Sequence, residues 1–386
     1  MDKMCWEKEI AAAKMCRPAW VEVDLAALRA NFAEIRRVVG ADCPITAVVK
    51  ADAYGHGAVE VAKCLLAEGA DCLAVATLGE ALELKSELGA VPIMLLSPLL
   101  GGVGQAVRQQ IILPVFSLAM AEEVNDVAAR LGVYAPVQLV LDTGMGRIGL
   151  ADTAAARDEA LQIAALPNLR VVGVFSHFAA ADEADKTYAE QQLAVFNRFT
   201  AALAAAGVDV PCKHIANSAA LLEMPHTRQD MVRAGIALYG YYPSDEVRRE
   251  ILQLTPVMSV KARLTWVKTV PAGTAVSYGR TFVTERETKI ATVPLGYADG
   301  WSRLNSNNGY VLVGGRRAPI IGRVCMDQFM LDVTGIEAGV GDEAVLLGAQ
   351  GAEMIAADEI AARIGTISYE VLSSLLPRLP RIYLNR

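Results

Sequence analysis

The chain has 386 residues, a formal net charge of −7, and 53% hydrophobic against 20% charged side chains. That length implies two domains, and the composition excludes a disordered chain. With no Lys/Arg block and no apolar run near the roughly 18 residues of a membrane span, neither nucleic acid nor membrane is an expected partner.

Near the N-terminus, charges at Lys3, Glu7, Lys8, Glu9 and Lys14 surround one short apolar run, Ile10–Ala13. That run is too short for the core of a signal peptide, so a cytoplasmic location is expected. The seven cysteines are scattered and none pairs as C-x-x-C, which reads as reduced thiols.

From about residue 24 to 238, short apolar runs alternate with longer stretches of helical period. The runs read as strands are Ile45–Val49, Cys72–Ala76, Ile93–Leu96, Ile112–Phe116, Val137–Leu141, Val171–Phe175, Lys213–Ala216 and Val232–Leu238. Helices are predicted over Leu25–Val39, Val59–Glu68, Glu80–Leu88, Ala121–Leu131 and Tyr188–Ala206. Strands apolar along their whole length belong to a parallel sheet buried on both faces. About eight βα units of this spacing predict a (β/α)8 TIM-type barrel over 1–245, with a doubly wound sheet as the alternative.

Around Tyr241–Pro256 the chain turns polar. Beyond it lie short runs with frequent Gly and Pro: Ser259–Val267, Lys289–Val293, Tyr310–Val313, Phe329–Val333 and Ala344–Leu347. These predict a β-rich C-terminal domain over 246–386, with helix only near Asp358–Leu376.

A barrel carries its active site at the C-terminal ends of its strands. Reading just past each strand gives Lys50, then Asp142 to Arg147, Ser176 and His177, Asn217 and Ser218, and Arg233 with Gly235 and Ile236. Loops after strands seven and eight often bind phosphate, which points to Ser218 and the Gly235–Ile236 backbone. A lysine ending a buried strand either snorkels to solvent or serves as a desolvated amine nucleophile. With a phosphate site beside it, the second reading suggests pyridoxal phosphate. Four histidines without clustered acids make a metal site unlikely. His56 reads as structural or as a support behind the site, His214 as a barrel-core residue or such a support, and His226 has no role. Gly101–Gly104 lacks a dinucleotide loop's third glycine and reads as a turn and helix cap.

The run AVVKADAYGHG (47–57) closely resembles the cofactor-lysine motif of alanine racemases. So do DTGMGRIG (142–149), SHF (176–178), NSAA (217–220), RAGIALYG (233–240), SYGRTF (277–282), GYADG (296–300), GRVCMDQ (322–328) and SYEVL (368–372). They follow the family's order over nearly the whole chain, leaving about 17 residues as a leader. The resemblance implies a homodimeric isomerase that interconverts L- and D-alanine on pyridoxal 5'-phosphate, supplying D-alanine for peptidoglycan. A racemase of another or broader amino-acid range and a non-catalytic cofactor-binding protein are the other readings; SYGRTF in a second domain argues against the latter.

The family's roles then fall on matching residues. Lys50 would hold the cofactor as a Schiff base. Tyr54, Ser218, Gly235 and Ile236 would bind its phosphate, with Asn217 in the same set. Arg233 would face the pyridine nitrogen, and His177 would bridge toward Arg233 and the catalytic tyrosine. Tyr278, from the partner copy, would be the second catalytic base. Arg147 and the Met326 backbone would hold the substrate carboxylate, while Tyr297 and Arg323 gate the entrance. An arginine at the ring nitrogen only donates, so that nitrogen stays unprotonated and reprotonation at Cα is favoured over transamination.

One position departs from the family. Where it commonly has a lysine that is carbamylated to hold the arginine, this chain has Val140. Arg147 is therefore expected to find another anion, either a small ion or a neighbouring acid. Gln138 and Asp142 share the face of Val140, and Gln138 is the weaker candidate because a neutral amide cannot balance the charge.

Overall fold

The computed structural model describes residues 17–386, so the features read from residues 3–16, Cys5 and Cys16 among them, lie outside it. The other five cysteines are free thiols. No helix among the described residues is long and apolar enough to cross a membrane.

Eight parallel strands form the barrel: Ile45–Val48, Cys72–Val75, Ile93–Leu95, Leu113–Val115, Ala135–Asp142, Leu169–Phe175, Lys213–His214 and Val232–Ala234. Hydrogen bonds from Leu95 N to Ile112 O (3.0 Å) and from Arg233 N to Ala216 O (3.0 Å) link the two sheet segments into a ring. The strands are short and buried on both faces, which is why their sequence runs lack alternation. Helices Leu25–Val39, Ala58–Ala67, Leu78–Leu88, Leu118–Leu131, Ala154–Ala164 and Thr187–Ala205 form the outer layer. Thr77, Ser117 and Thr153 cap three of them with side-chain oxygens.

The eighth strand is shorter than its apolar run. Strand pairing stops at Ala234, and Ile236–Tyr239 turn into a 3-10 helix. All seven residues are buried, so hydrophobicity alone does not mark where the strand ends.

A second unit is built on a long, mostly antiparallel sheet. Its strands run in the order Trp266–Val270, Thr288–Val293, Phe329–Asp332, Arg316–Ile321, Tyr310–Val313, Glu343–Gln350, Met258–Arg263, Ala19–Asp24 and Arg381–Leu384. The helical stretch near the C-terminus is two short helices, Ala357–Ile364 and Ser368–Ser373.

The chain divides into these units differently from a single cut after 245. The β-rich unit takes residues up to Ala27, Tyr54–Gly57 and Pro256–Arg386; the barrel unit takes Leu28–Ala53 and Ala58–Thr255. Ala19–Asp24, expected with the barrel, pairs antiparallel with Met258–Arg263 and parallel with Arg381–Leu384. Gly55 and Gly57 belong to the same unit for a steric reason. A Cβ on Gly55 would lie 2.4 Å from Leu372 O, and one on Gly57 would lie 1.8 Å from the Tyr383 hydroxyl.

Candidate active site

Lys50 follows the first barrel strand directly. After it the backbone turns left-handed: Ala51, Asp52 and Ala53 all have φ near +53°. With Tyr54 (φ +54°) they make four consecutive non-glycine residues in that region, which are costly and need fixing from outside. Glu80, from the next helix, provides this. One of its carboxylate oxygens accepts from Ala51 N (2.6 Å) and the other from Ala76 N and Thr77 N (2.9 Å each). The Asp52 carboxylate accepts from Ala58 N (2.7 Å). Burial lowers the Lys50 pKa, and the nearby Arg147 charge lowers it further, against an opposing pull from Glu80. A neutral amine is thereby made more accessible at this rim.

Arg233 leaves the last barrel strand almost wholly buried, at 3% exposure. One terminal nitrogen donates to His214 Nδ1 (2.6 Å) and His214 O (3.1 Å). The other lies 2.7 Å from Ser176 O, 3.2 Å from Ile215 O and 3.3 Å from His177 Nδ1. Its Nε–H has no hydrogen-bond partner among the described residues. Burial brings the guanidinium pKa down to about 10, so it remains a cation at neutral pH. Phe175 backs the group, with its ring 5.5 Å from the Arg233 carbon and 5.4 Å from the His214 ring.

His177 is held neutral. Burial, then the charges of Arg233, Arg147 and Lys50, push its pKa down to about 3. Its expected link to Arg233 is present, with His177 as acceptor. His214, read as a barrel-core residue or a support behind the site, is fully buried and also pushed well below its ordinary value, first by burial and then by Arg233.

The two loops expected to take phosphate meet. Gly235 N donates to Ser218 Oγ (2.9 Å), joining the start of helix Ser218–Glu223 to the start of the 3-10 helix at Ile236. The Ser218 hydroxyl hydrogen stays available to a ligand, as do backbone N–H groups at both helix starts. Asn217 serves the fold here: its side-chain oxygen caps the helix at Ala220 N (3.0 Å).

The expected acid beside Arg147 is not there. Arg147 is exposed and has no hydrogen bond or ion pair among the described residues. Asp142 instead accepts from Gly144 N and Gly146 N (3.0 Å each), and Gln138 faces His214. Val140 is buried as expected, at 2% exposure. Glu80 and Gln192, whose amide nitrogen reaches His177 O at 3.0 Å, support the site without being marked for it by the sequence, and Gln138, read there only as a weak partner for Arg147, serves His214 instead.

The β-rich unit gathers its own four residues. Tyr278 (71% exposed), Tyr297 (42%) and Met326 (53%) all stand out of the surface. The Arg323 guanidinium packs over Gly279, and Ser277 Oγ donates to Arg323 O (2.7 Å). Tyr297 N bonds Cys325 O and Ala298 N bonds Met326 O, so these loops form one patch. In the same unit, burial pushes the Tyr54 phenol up to about 12, which keeps it a neutral O–H donor. His56 Nδ1 lies 3.0 Å from Tyr54 O, and exposed His226 meets Glu190.

Two family models match the chain, "Alanine racemase, N-terminal domain" over residues 23–243 and "Alanine racemase, C-terminal domain" over 257–383. The chain belongs to the alanine racemase family. Its members are isomerases that interconvert L- and D-alanine, and so does this chain. Alanine racemase 2 of Caldanaerobacter subterraneus subsp. tengcongensis is 48% identical, over 96% of each chain. Among solved structures, the alanine racemase of Clostridium difficile 630 superposes with a TM-score of 0.92 at 40% identity, covering 95% of this chain and 96% of that one. The alanine racemase of Bacillus anthracis, solved with bound L-Ala-P, gives 0.91 at 39% identity, over 96% of each.

Proposed function

We propose that this alanine racemase works on pyridoxal 5'-phosphate, with Lys50 and Tyr278 as its two bases. The observation that carries the reading is the barrel rim, where a lysine of lowered pKa, a buried arginine with one open N–H, and two joined helix starts come together. These groups fit that cofactor: an amine for its aldehyde, a donor for its ring nitrogen, and neutral donors for its phosphate. When bound, pyridoxal phosphate supplies an electron sink for the alanine Cα.

Ser218, Gly235, Ile236 and Tyr54 would hold the phosphate through O–H and N–H donors. Arg233 would hold the ring nitrogen with its open Nε–H and, being a guanidinium, would leave it no proton to take. His177 stays neutral, so it accepts from Arg233 rather than competing with it. Lys50 Nζ takes or returns the Cα proton on one face, serving D-alanine, and the phenol oxygen of Tyr278 does so on the opposite face, serving L-alanine. Arg147 and the Met326 backbone bind the carboxylate, and Tyr297 and Arg323 limit access.

Two copies share each site, with Tyr278 reaching the other copy's Lys50. The exposed patch of Tyr278, Tyr297 and Met326 supports this, because a second copy would cover it. The product would supply D-alanine for peptidoglycan in the cytoplasm. Borohydride reduction of the holoenzyme followed by peptide mapping should label Lys50. Mixed Lys50→Ala and Tyr278→Phe variants should regain activity, since one hybrid site has both bases. A label on another lysine, or no regain once subunit exchange is demonstrated, overturns the assignment.

A further inference from the structure

Gln138 lies in the strand Ala135–Asp142 at 4% exposure, inside the barrel. Its Oε1 is 3.0 Å from His214 Nε2. An amide oxygen only accepts, so Nε2 carries the hydrogen. On the other side of the ring, Nδ1 is 2.6 Å from an Arg233 terminal nitrogen. A guanidinium only donates, so Nδ1 must present a lone pair. One state of His214 satisfies both contacts, the neutral ring protonated at Nε2. A second ring proton would set N–H against N–H at 2.6 Å, and the other tautomer would fail on both sides.

The consequence reaches Arg233. Both of its terminal nitrogens are engaged by His214, His177 and backbone carbonyls, and the Nε–H remains. We propose that Gln138 is a positioning residue: by accepting from His214 it keeps Nδ1 an acceptor, and so fixes which donor of Arg233 faces the substrate side. His214 is an intermediate in this chain, and Arg233 alone touches the cofactor. The proposal rests on the assignment of Arg233 to the cofactor's ring nitrogen. Its first half, the state of His214, does not.

The test uses the full chain labelled with 15N-histidine, which has four histidines to resolve. Long-range 15N–1H spectra read each ring's tautomer with or without cofactor. His214 in the unmodified chain should be neutral and protonated at Nε2 from pH 6 to 9, with Arg233 the one charged group acting on it. Gln138→Met, of similar length but without an acceptor, should move the proton partly to Nδ1. Gln138→Glu, of the same shape, should stabilise the doubly protonated ring. In the loaded enzyme both variants should raise pyruvate formed per racemisation, and lower kcat about fivefold, the worth of one neutral hydrogen bond, with KM little changed. A His214 proton on Nδ1 in the unmodified chain overturns the proposal whatever the activity. So does a Gln138→Met variant with unaltered tautomer and unaltered pyruvate yield. If racemisation is absent altogether, the function assigned above fails while the spectra still decide the state of His214.

Discussion

Replacing Arg233 with methionine should weaken the barrel by a calculable amount. The guanidinium donates to Ser176 O and Ile215 O, and methionine leaves both carbonyls without that partner in a buried place. Each such loss costs about 1–3 kcal/mol. His214 Nδ1 loses its donor as well, while His214 O keeps its bond from Ser176 N. Against this, the variant no longer buries a cation that is 3% exposed, which returns part of the cost. The net loss is about 2–4 kcal/mol, enough to lower the melting temperature of a unit this size by about 5–15 °C. Calorimetry of the cofactor-free protein measures it directly. The same variant, loaded with cofactor, should form more pyruvate per racemisation, because nothing then keeps the ring nitrogen unprotonated. A loss under about 1 kcal/mol, less than one buried carbonyl is worth, would show that the guanidinium and its contacts contribute little to the fold, and would refute the reasoning.

Other outcomes follow from the same groups. His177 and His214 both have folded pKa values below the ordinary 6.5, so the unfolded chain binds protons there that the fold does not. Stability should therefore fall as pH drops below about 6.5, by at most about 1.4 kcal/mol per pH unit for each histidine. Urea midpoints between pH 7.5 and 5 should show this, and His177→Gln should remove roughly half the slope; an unchanged slope would mean that His177 is not held neutral. At Val140 there is no amine to carbamylate, so bicarbonate should leave kcat/KM unchanged in the natural chain. Val140→Lys should be destabilised as a buried cation and partly restored by bicarbonate, read as a rise in melting temperature. A bicarbonate effect on the natural chain would contradict the expectation.

The barrel is legible because its strands are short apolar runs and its helices keep a 3.6-residue period. Leu25–Val39 agrees with its sequence reading to the residue. The end of the last strand does not, since Val232–Leu238 is apolar throughout while its backbone changes form at Gly235. Ala19–Asp24 escapes a local reading for another reason. Its partners lie more than 200 residues away, at Met258–Arg263 and Arg381–Leu384, and no local pattern encodes such pairing. In the site, the charged residues of the barrel rim are readable from their positions past strand ends, whereas the tyrosines and Arg323 come only from the family resemblance. The amides are not. Gln138 and Gln192 have no charge to draw notice, and Gln138 reads as a weak partner for Arg147 when its oxygen in fact faces His214. Asn217 reads as one of the cofactor residues, and its side chain serves as a helix cap.

The left-handed turn after Lys50 has a bearing on protein engineering. Its conformation is not written in the turn itself, whose sequence Ala51–Asp52–Ala53 is ordinary helix-compatible material. It is held from outside, by the Glu80 carboxylate on Ala51 N and the Asp52 carboxylate on Ala58 N. Glu80 also ties down Ala76 and Thr77, so one side chain rivets two successive βα loops together. A designer moving the cofactor-lysine segment into another barrel would have to transplant the next helix start with it. Left behind, that glutamate would take the shape of the turn with it, and the grafted lysine would point elsewhere.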